Sequence, residues 1–430
     1  MYILMVVVFI IGYIMIAMEH PIKIDKAASA LLTGTICWTL LVFGKDMILP
    51  GAEPNFIDDS LLHHLGEIGE ILFFLLGAMT IVELVDAHEG FEVVTSRIKT
   101  TNRVKLMWIL SIVTFFFSAV LDNLTTAIVM AALLKKLFKD KEEMWFFAGM
   151  IVIAANAGGA WSPIGDVTTI MLWIGGQVTA LNIVLKVFLP SVACILLPLL
   201  ILSYTMKGNI TKPAARQKEE DAHVISTFEQ RLIFWLGVGG LLFVPLFKSV
   251  THLPPFVGML FSLGVLWLTT ELLHKRKPHH HRHALSVSGV IQKVDTPSVL
   301  FFLGILLAVA SLQTAGHLAQ LADALDHALG GDIYLINILV GLLSSIVDNV
   351  PLVAGAMGMY PMTTYPTDHI FWELLAYCAG TGGSALIIGS AAGVAIMGIL
   401  KIDFLWYMRK ISWLAILGYF AGVAVYWLIN

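Results

Sequence analysis

Two aspartates set in apolar sequence are the residues of this chain most able to do chemistry. Asp122 ends Ser118-Ala119-Val120-Leu121-Asp122 and is followed by Asn123; Asp348 ends Ser344-Ser345-Ile346-Val347-Asp348 and is followed by Asn349. The two Asp-Asn pairs lie 226 positions apart. A third aspartate, Asp166, follows Pro163-Ile164-Gly165 and precedes Val167-Thr168-Thr169. An ionisable side chain within a hydrocarbon-length segment is costly and marks an ion or proton path. Asp122, Asn123, Asn156, Asp166, Thr168, Thr169, Asp348 and Asn349 offer carboxylate, amide and hydroxyl oxygens, the ligands that hard cations such as sodium prefer. Low dielectric disfavours the charged form of a carboxyl group. One such group can therefore hold either a proton or a sodium ion.

Each of these residues also has a plainer reading. Asn123 and Asn349 would serve equally to satisfy backbone at a helix break, and Asp348 would serve as a cap for its half-helix. Ser118 and Ser344 are either extra ligands or serines bonded back to their own helix, and Thr381 and Ser384 stand in the same position. Asp122 and Asp166, with Asn123 and Asn156, are the set expected to hold the ion. Glu67 and Glu70 are expected at the outer end of one span and Glu83 and Asp86 at its inner end, where water explains them. The run His279-His280-His281-Arg282-His283 reads as a solvated basic loop; a pH sensor there is the minority reading.

The elements that must position these groups are membrane helices. Of 430 residues, 58% are hydrophobic and 13% charged, which defines a polytopic, all-α membrane protein. The formal charge of −4 is spread over loops and forms no single field, so no nucleic-acid partner is expected. Cys37, Cys194 and Cys378 fall in apolar segments without metal or disulfide spacing. Tyr2 to Met18 lacks a basic leader and a small-residue cleavage site, and reads as a retained helix. Spans are expected at residues 2–18, 27–49, 66–86, 145–175, 180–206, 229–248, 254–273, 297–314, 368–397 and 404–428. No cofactor is expected.

Two apolar stretches, 105–137 and 332–360, are interrupted near their middle by the Asp-Asn pairs, and each half is short for a crossing. Lys and Arg collect on the cytoplasmic side of membrane proteins. Basic residues flank the first stretch on both sides (Arg97, Lys99, Arg103, Lys105; Lys135, Lys136, Lys139, Lys141), so it reads as a re-entrant hairpin from the cytoplasm. The second is flanked by Asp323, Asp326, Asp332 and Asp368 and reads as a hairpin from outside. Ten spans and two hairpins then put 23 of the 26 Lys and Arg inside, all but Lys45, Lys186 and Lys248, with both termini outside.

The same order of elements occurs twice. Residues 1–206 and 229–430 each hold three spans, a hairpin, an interrupted span and a fifth span, joined by a polar linker at 207–228. Five crossings per copy is odd, so the copies are inverted relative to one another. Phe73-Phe74-Leu75-Leu76-Gly77 answers Phe301-Phe302-Leu303-Gly304. Gly158-Gly159 with Ile164-Gly165 answers Gly382-Gly383 with Ile388-Gly389. Glycine pairs and Pro163 break the spans 145–175 and 368–397 and free backbone groups that lipid cannot satisfy. Glycines that merely let helices pack closely are the competing account.

With these elements the chain resembles the ion transporter superfamily over its full length. The segments Ser118 to Ala127 and Asn156 to Thr169 are similar to those of NhaD-type sodium/proton antiporters. That resemblance implies exchange of cytoplasmic Na+ or Li+ for external H+ across a bacterial inner membrane, with no enzymatic activity. It also implies a homodimer whose transport domain moves like an elevator against a scaffold. The motif match carries over Ser118, Asp122, Asn123, Asn156, Asp166, Thr168, Thr169, Ser344, Asp348, Asn349 and Ser384 as functional. A relative moving an anion, a dicarboxylate or arsenite, is the nearest alternative, and the aspartates count against it. An intramembrane aspartyl protease using Asp122 and Asp166 is remote, since Pro163-Ile164-Gly165-Asp166 is not its Gly-x-Gly-Asp signature.

Overall fold

The computed structural model describes residues 1–98, 100–210, 225–275 and 285–430. The His279–His283 run, Lys99 and most of the 207–228 linker lie outside the described residues. Within them the chain is helical, with no strand. Helices α1 (Tyr2–Ala17), α2 (Lys26–Phe43) and α3 (Phe56–Ala87) come first, then α4 (Arg103–Leu121), α5 (Asn123–Leu137), α6 (Lys141–Ala160), α7 (Val167–Ile174) and α8 (Ala180–Thr205). The chain continues with α9 (Thr227–Thr251), α10 (Pro255–His274), α11 (Thr296–Thr314), α12 (His317–Leu329), α13 (Ile333–Leu343) and α14 (Asn349–Met359). It ends with α15 (Ile370–Gly382), α16 (Ala391–Leu400), α17 (Phe404–Lys410) and α18 (Ser412–Ile429). Among the described residues nine helices are long and apolar enough to cross a membrane, or up to eleven if each of two bent pairs is one span.

Each interrupted stretch is a pair of helices that turns back at its Asp-Asn dipeptide. In the first, α4 and α5 meet at Asp122, and the open ends are drawn together by Arg103 Nε donating to Glu143 Oε1 of α6 at 2.5 Å. In the second, α13 and α14 are joined by residues 344–348, and Tyr360 just beyond α14 donates to Asp326 of α12 at 2.9 Å. The broken helices run between the two hairpin bases. Helix α6 starts beside Arg103, while the segment after α7 meets the one before α15, Asp368 N donating to Gln177 O at 2.8 Å. Helix α16 returns to the start of α6, where Trp145 Nε1 donates to Leu400 O at 3.2 Å. The hairpins thus enter from opposite ends, the Arg103 end and the Tyr360 end, with their tips in the middle.

Two sets of helices pack around this centre. Helices α1, α2, α3, α9, α10 and α11 form one, in which α2 lies on α11 and α3 on α10. The hairpins, the broken helices, α8 and α18 form the other, in which α4 lies on α6, α13 on α15 and α8 on α18. Of the lysines expected on the side away from the rest, Lys248 sits at the Tyr360 end, its Nζ 2.9 Å from Trp173 O, and Lys186 bonds the C-terminal Asn430.

The structure departs from the sequence reading in four elements. Helix α3 has 32 residues, about 48 Å at 1.5 Å per residue, so the expected span 66–86 is only its inner part. Helix α4, with 19 residues, is itself long enough to cross rather than short. Helix α12 was not foreseen; it meets α13 at 115°, at Gly330 and Gly331 with φ of 65° and 68°, a conformation open to glycine. The last span is not continuous over 404–428: α17 ends at the adjacent, exposed Arg409 and Lys410 before α18 begins, because two neighbouring charges are poorly tolerated inside hydrocarbon.

Candidate functional site

Asp166 stands where the four interrupted segments meet. It is the N-cap of α7 and is 1% exposed. Thr168 donates to its Oδ1 twice, from N at 2.9 Å and from Oγ1 at 2.8 Å. The tip of the first hairpin contributes Asn123, whose Nδ2 donates to Asp166 Oδ2 at 2.6 Å. The tip of the second contributes Asn349, whose Nδ2 lies 3.4 Å from both carboxylate oxygens. Asn123 Nδ2 also reaches Asn156 Oδ1 at 3.2 Å, and Asn156 Nδ2 in turn donates to Ser384 Oγ and Ser390 Oγ, both at 2.9 Å. Apart from Ser384 and Ser390, which belong to the second broken helix, this network unites residues from 123 to 349 through side chains that are almost wholly buried.

The other two aspartates also cap half-helices, but their carboxylates make no hydrogen bond to Asp166's partners. Asp122, at a φ of 91°, ends α4 and caps α5: Thr125 donates to it from N at 2.7 Å and from Oγ1 at 2.8 Å. Its carboxylate lies within electrostatic range of Asp166 but shares no hydrogen bond with the network. Asp348 caps α14 through Val350 N at 3.3 Å and pairs with Lys26 Nζ at 3.4 Å. So the asparagine of each Asp-Asn pair faces the centre, and the aspartate fixes the half-helix that presents it.

Ser118 and Ser344 bond neither an ion site nor their own helix. Ser118 Oγ donates to Ala155 O at 2.5 Å and Ser344 Oγ to Ala379 O at 2.8 Å, each tying a hairpin to the broken helix beside it. Thr169 Oγ1 donates to the backbone of Asp166, and Thr381 Oγ1 bonds back to Tyr377 O within α15. We expect Ser118→Ala and Ser344→Ala each to lower stability by about 1 kcal/mol, seen as an earlier melting of the detergent-solubilised protein, with little change in ion dependence.

The glycine pairs pack as well as break. A Cβ on Gly158 would lie 2.2 Å from Phe115 O, and one on Gly382 would lie 1.9 Å from Gly341 O. Beyond each pair the chain re-enters helix in matching geometry. Asp166 has φ −148° and ψ 146° and Ser390 has φ −145° and ψ 152°, each capping the next half-helix. Ser390 is the site residue that sequence reasoning left out, although its register with Asp166 was a signal for it. Lys26, 322 positions before its partner, left no signal. Glu373 was also missed; it is buried and receives hydrogen bonds from Asn182 of α8 and Tyr426 of α18, which locks three helices together.

Chemically, Asp166 is a buried carboxyl group compensated by amide, hydroxyl and backbone dipoles, with no Lys, Arg or His partner among the described residues. A buried carboxylate without a counter-charge is strongly disfavoured, so it requires a proton or a bound cation. The N-termini of α5, α7, α14 and α16 and the C-termini of α4, α6, α13 and α15 surround the same point, supplying donors and carbonyl oxygens of freed backbone. Cavities approach from both ends. One of about 380 Å³ at the Tyr360 end is lined by His64, Glu67, Glu70 and Gln177. At the Arg103 end one cavity reaches Asp348 and Ser390, and a second adjoins it at Glu19 and Lys26. Glu67 and Glu70 therefore face the cavity at the Tyr360 end.

A polytopic helical bundle with a buried polar centre approached from both ends defines a membrane transport protein. Over residues 4–374 the sequence matches the family described as citrate transporter. It is 47% identical to sodium/proton antiporter 1 of Arabidopsis thaliana over 98% of this chain and 71% of that protein. It is 43% identical to sodium/proton antiporter 2 of the same plant, over 98% of each chain. The Na(+)/H(+) antiporter NhaD of Vibrio cholerae is 30% identical over 98% of this chain and 91% of its own length. The chain belongs to the citrate transporter family, in the branch that holds the NhaD-type sodium/proton antiporters.

Proposed function

We propose that the chain is a secondary antiporter that exports cytoplasmic Na+ or Li+ in exchange for external H+, with Asp166 as the group that carries one or the other. The observation behind this reading is the buried Asp166 carboxyl group, ringed by Asn123, Asn156, Asn349 and Thr168 and lacking a basic partner among the described residues. The ion would bind Asp166, Asn123 and Asn156, with Asp122 adding negative potential, and the names of the relatives agree with sodium and protons as the exchanged ions. The copies 1–206 and 229–430 act in this reading as inverted repeats. The set containing the hairpins moves as an elevator past α1–α3 and α9–α11, which also pair two protomers as a homodimer. Lys and Arg abundance puts the Arg103 end inside, in a bacterial inner membrane or its equivalent.

The family description names citrate, so an anion carrier is the competing reading. A carboxylate substrate would meet Asp166 and Asp122, whose carboxylates have no guanidinium or ammonium partner among the described residues. The two readings separate in proteoliposomes loaded with a pH dye. A sodium or lithium gradient is expected to drive proton movement in the opposite direction, with no uptake of labelled citrate or succinate. Citrate or succinate uptake without sodium-driven proton movement would sink the antiporter.

A further inference from the structure

Between the two sets of helices, at the tip of the second hairpin, lies a chamber of about 60 Å³ lined by Tyr13, Lys26, Asp348 and Ser390, room for roughly two water molecules. It joins a wider vestibule of about 390 Å³ through Glu19, Lys26, Ala391 and Val394, which line both. That vestibule runs along α16 to the start of α11 and carries three carboxylates, Glu19, Asp25 and Asp295, beside the single cation Lys26. An acidic funnel of this kind concentrates cations at its inner end.

At that inner end Lys26 Nζ is held 3.4 Å from Asp348 Oδ2 and 4.4 Å from the centre of the Phe301 ring. Lys26 belongs to α2 in one set of helices and Asp348 to the hairpin of the other. The Tyr13 hydroxyl, lining the same chamber, is buried and makes no hydrogen bond to the described residues. Across the chamber Ser390 Oγ accepts from Asn156 Nδ2 at 2.9 Å, and Asn156 leads to Asn123 and Asp166. The route from vestibule to Asp166 therefore passes a carboxylate already occupied by a tethered ammonium group.

We propose that Lys26 is the inner gate of this transporter: it holds Asp348 until a sodium ion from the acidic vestibule displaces it, and so sets the sodium concentration at which transport half-saturates. The assignment rests on the antiporter reading above. Sodium arriving in the chamber takes the Asp348 carboxylate, with the Tyr13 and Ser390 hydroxyls as further oxygen ligands. The released Lys26 loosens the ion pair between the two sets of helices, which is where an elevator must slide.

The test is sodium-driven proton movement in proteoliposomes for Lys26→Met, Lys26→Arg, Asp348→Asn and the Lys26→Met/Asp348→Asn double variant. Removing the competitor in Lys26→Met is expected to lower the half-saturating sodium concentration by about two- to fivefold, the range an ion pair of this exposure supports. Lys26→Arg restores the parental value. In the Asp348→Asn background Lys26→Met has no further effect, since Lys26 acts through that carboxylate. An unchanged half-saturation in Lys26→Met, or a shift that persists in Asp348→Asn, would overturn the gate. A binding readout separates this from failure of the antiporter reading. The native Cys37, Cys194 and Cys378 are buried, so Val394→Cys reports on the chamber: sodium should slow its labelling by a small thiol reagent, at about two- to fivefold lower concentration when Lys26 is Met, by the same reasoning. A protein that exchanges ions but shows no such shift refutes the gate. One that shows the shift without exchanging sodium for protons keeps the gate and refutes the antiporter.

Discussion

Asp166→Asn is expected to abolish sodium/proton exchange while the protein still inserts and remains monodisperse. Asparagine caps a helix about as well as aspartate, and the Thr168 donors that hold Asp166 Oδ1 can be accepted by an amide oxygen. What disappears is the negative charge and the proton-binding group. Removing one member of a buried charge pair weakens binding by about 2–5 kcal/mol, so exchange should fall by roughly thirtyfold or more. The amide nitrogen would also face Asn123 Nδ2, now 2.6 Å from a carboxylate oxygen. The comparison is Asp122→Asn, which keeps the cap on α5 and lies outside the network. It is expected to leave measurable exchange. The assay is dye quenching in proteoliposomes at several sodium concentrations, with yield and elution profile as controls. Full exchange in Asp166→Asn would place the ion elsewhere.

The second large effect is structural. At Gly382 a Cβ would sit 1.9 Å from Gly341 O and 2.6 Å from its carbonyl carbon. These are backbone atoms of the second hairpin, and neither helix can yield without moving the tip that carries Asn349. Gly382→Val should therefore cost more than the 1–3 kcal/mol typical of overpacking, appearing as loss of folded protein or a marked fall in melting temperature. Gly158→Val meets Phe115 O at 2.2 Å and should behave alike. Gly264 in α10, with nothing within 4 Å of its Cβ position, is the control: Gly264→Ala should be neutral or slightly stabilising. Equal behaviour of Gly382 and Gly264 variants would show that the close backbone approach has been misjudged.

Much of the architecture was legible because the bilayer imposes it. Apolar length marks the spans, and the Asp-Asn pairs mark the two hairpins within two residues of their observed ends. Local turn chemistry was less legible. The corner at Gly330-Gly331 and the stop at Arg409-Lys410 were present as letters, but hydropathy averages over them. Among the site residues, the sequence named Asp166, Asn123, Asn156, Asn349, Thr168 and Ser384, but it ranked Asp122 beside Asp166 and Asn349 below them.

What the sequence determined by itself is the chemistry available. A membrane chain with oxygen ligands at two matched interruptions of helix is committed to handling something small and polar near the membrane centre. Which of those oxygens face the centre was decided only by tertiary structure. An Asp-Asn pair at a helix start must give one side chain to the cap and the other to the core. The aspartates became caps because their carboxylates accept the free backbone donors, at Thr125 N and Val350 N. The asparagines were left to meet Asp166, which no partner along the chain could have supplied. Only the fold could bring Lys26 to Asp348 across 322 positions, because an ion pair between two packed sets of helices depends on their approach rather than on spacing.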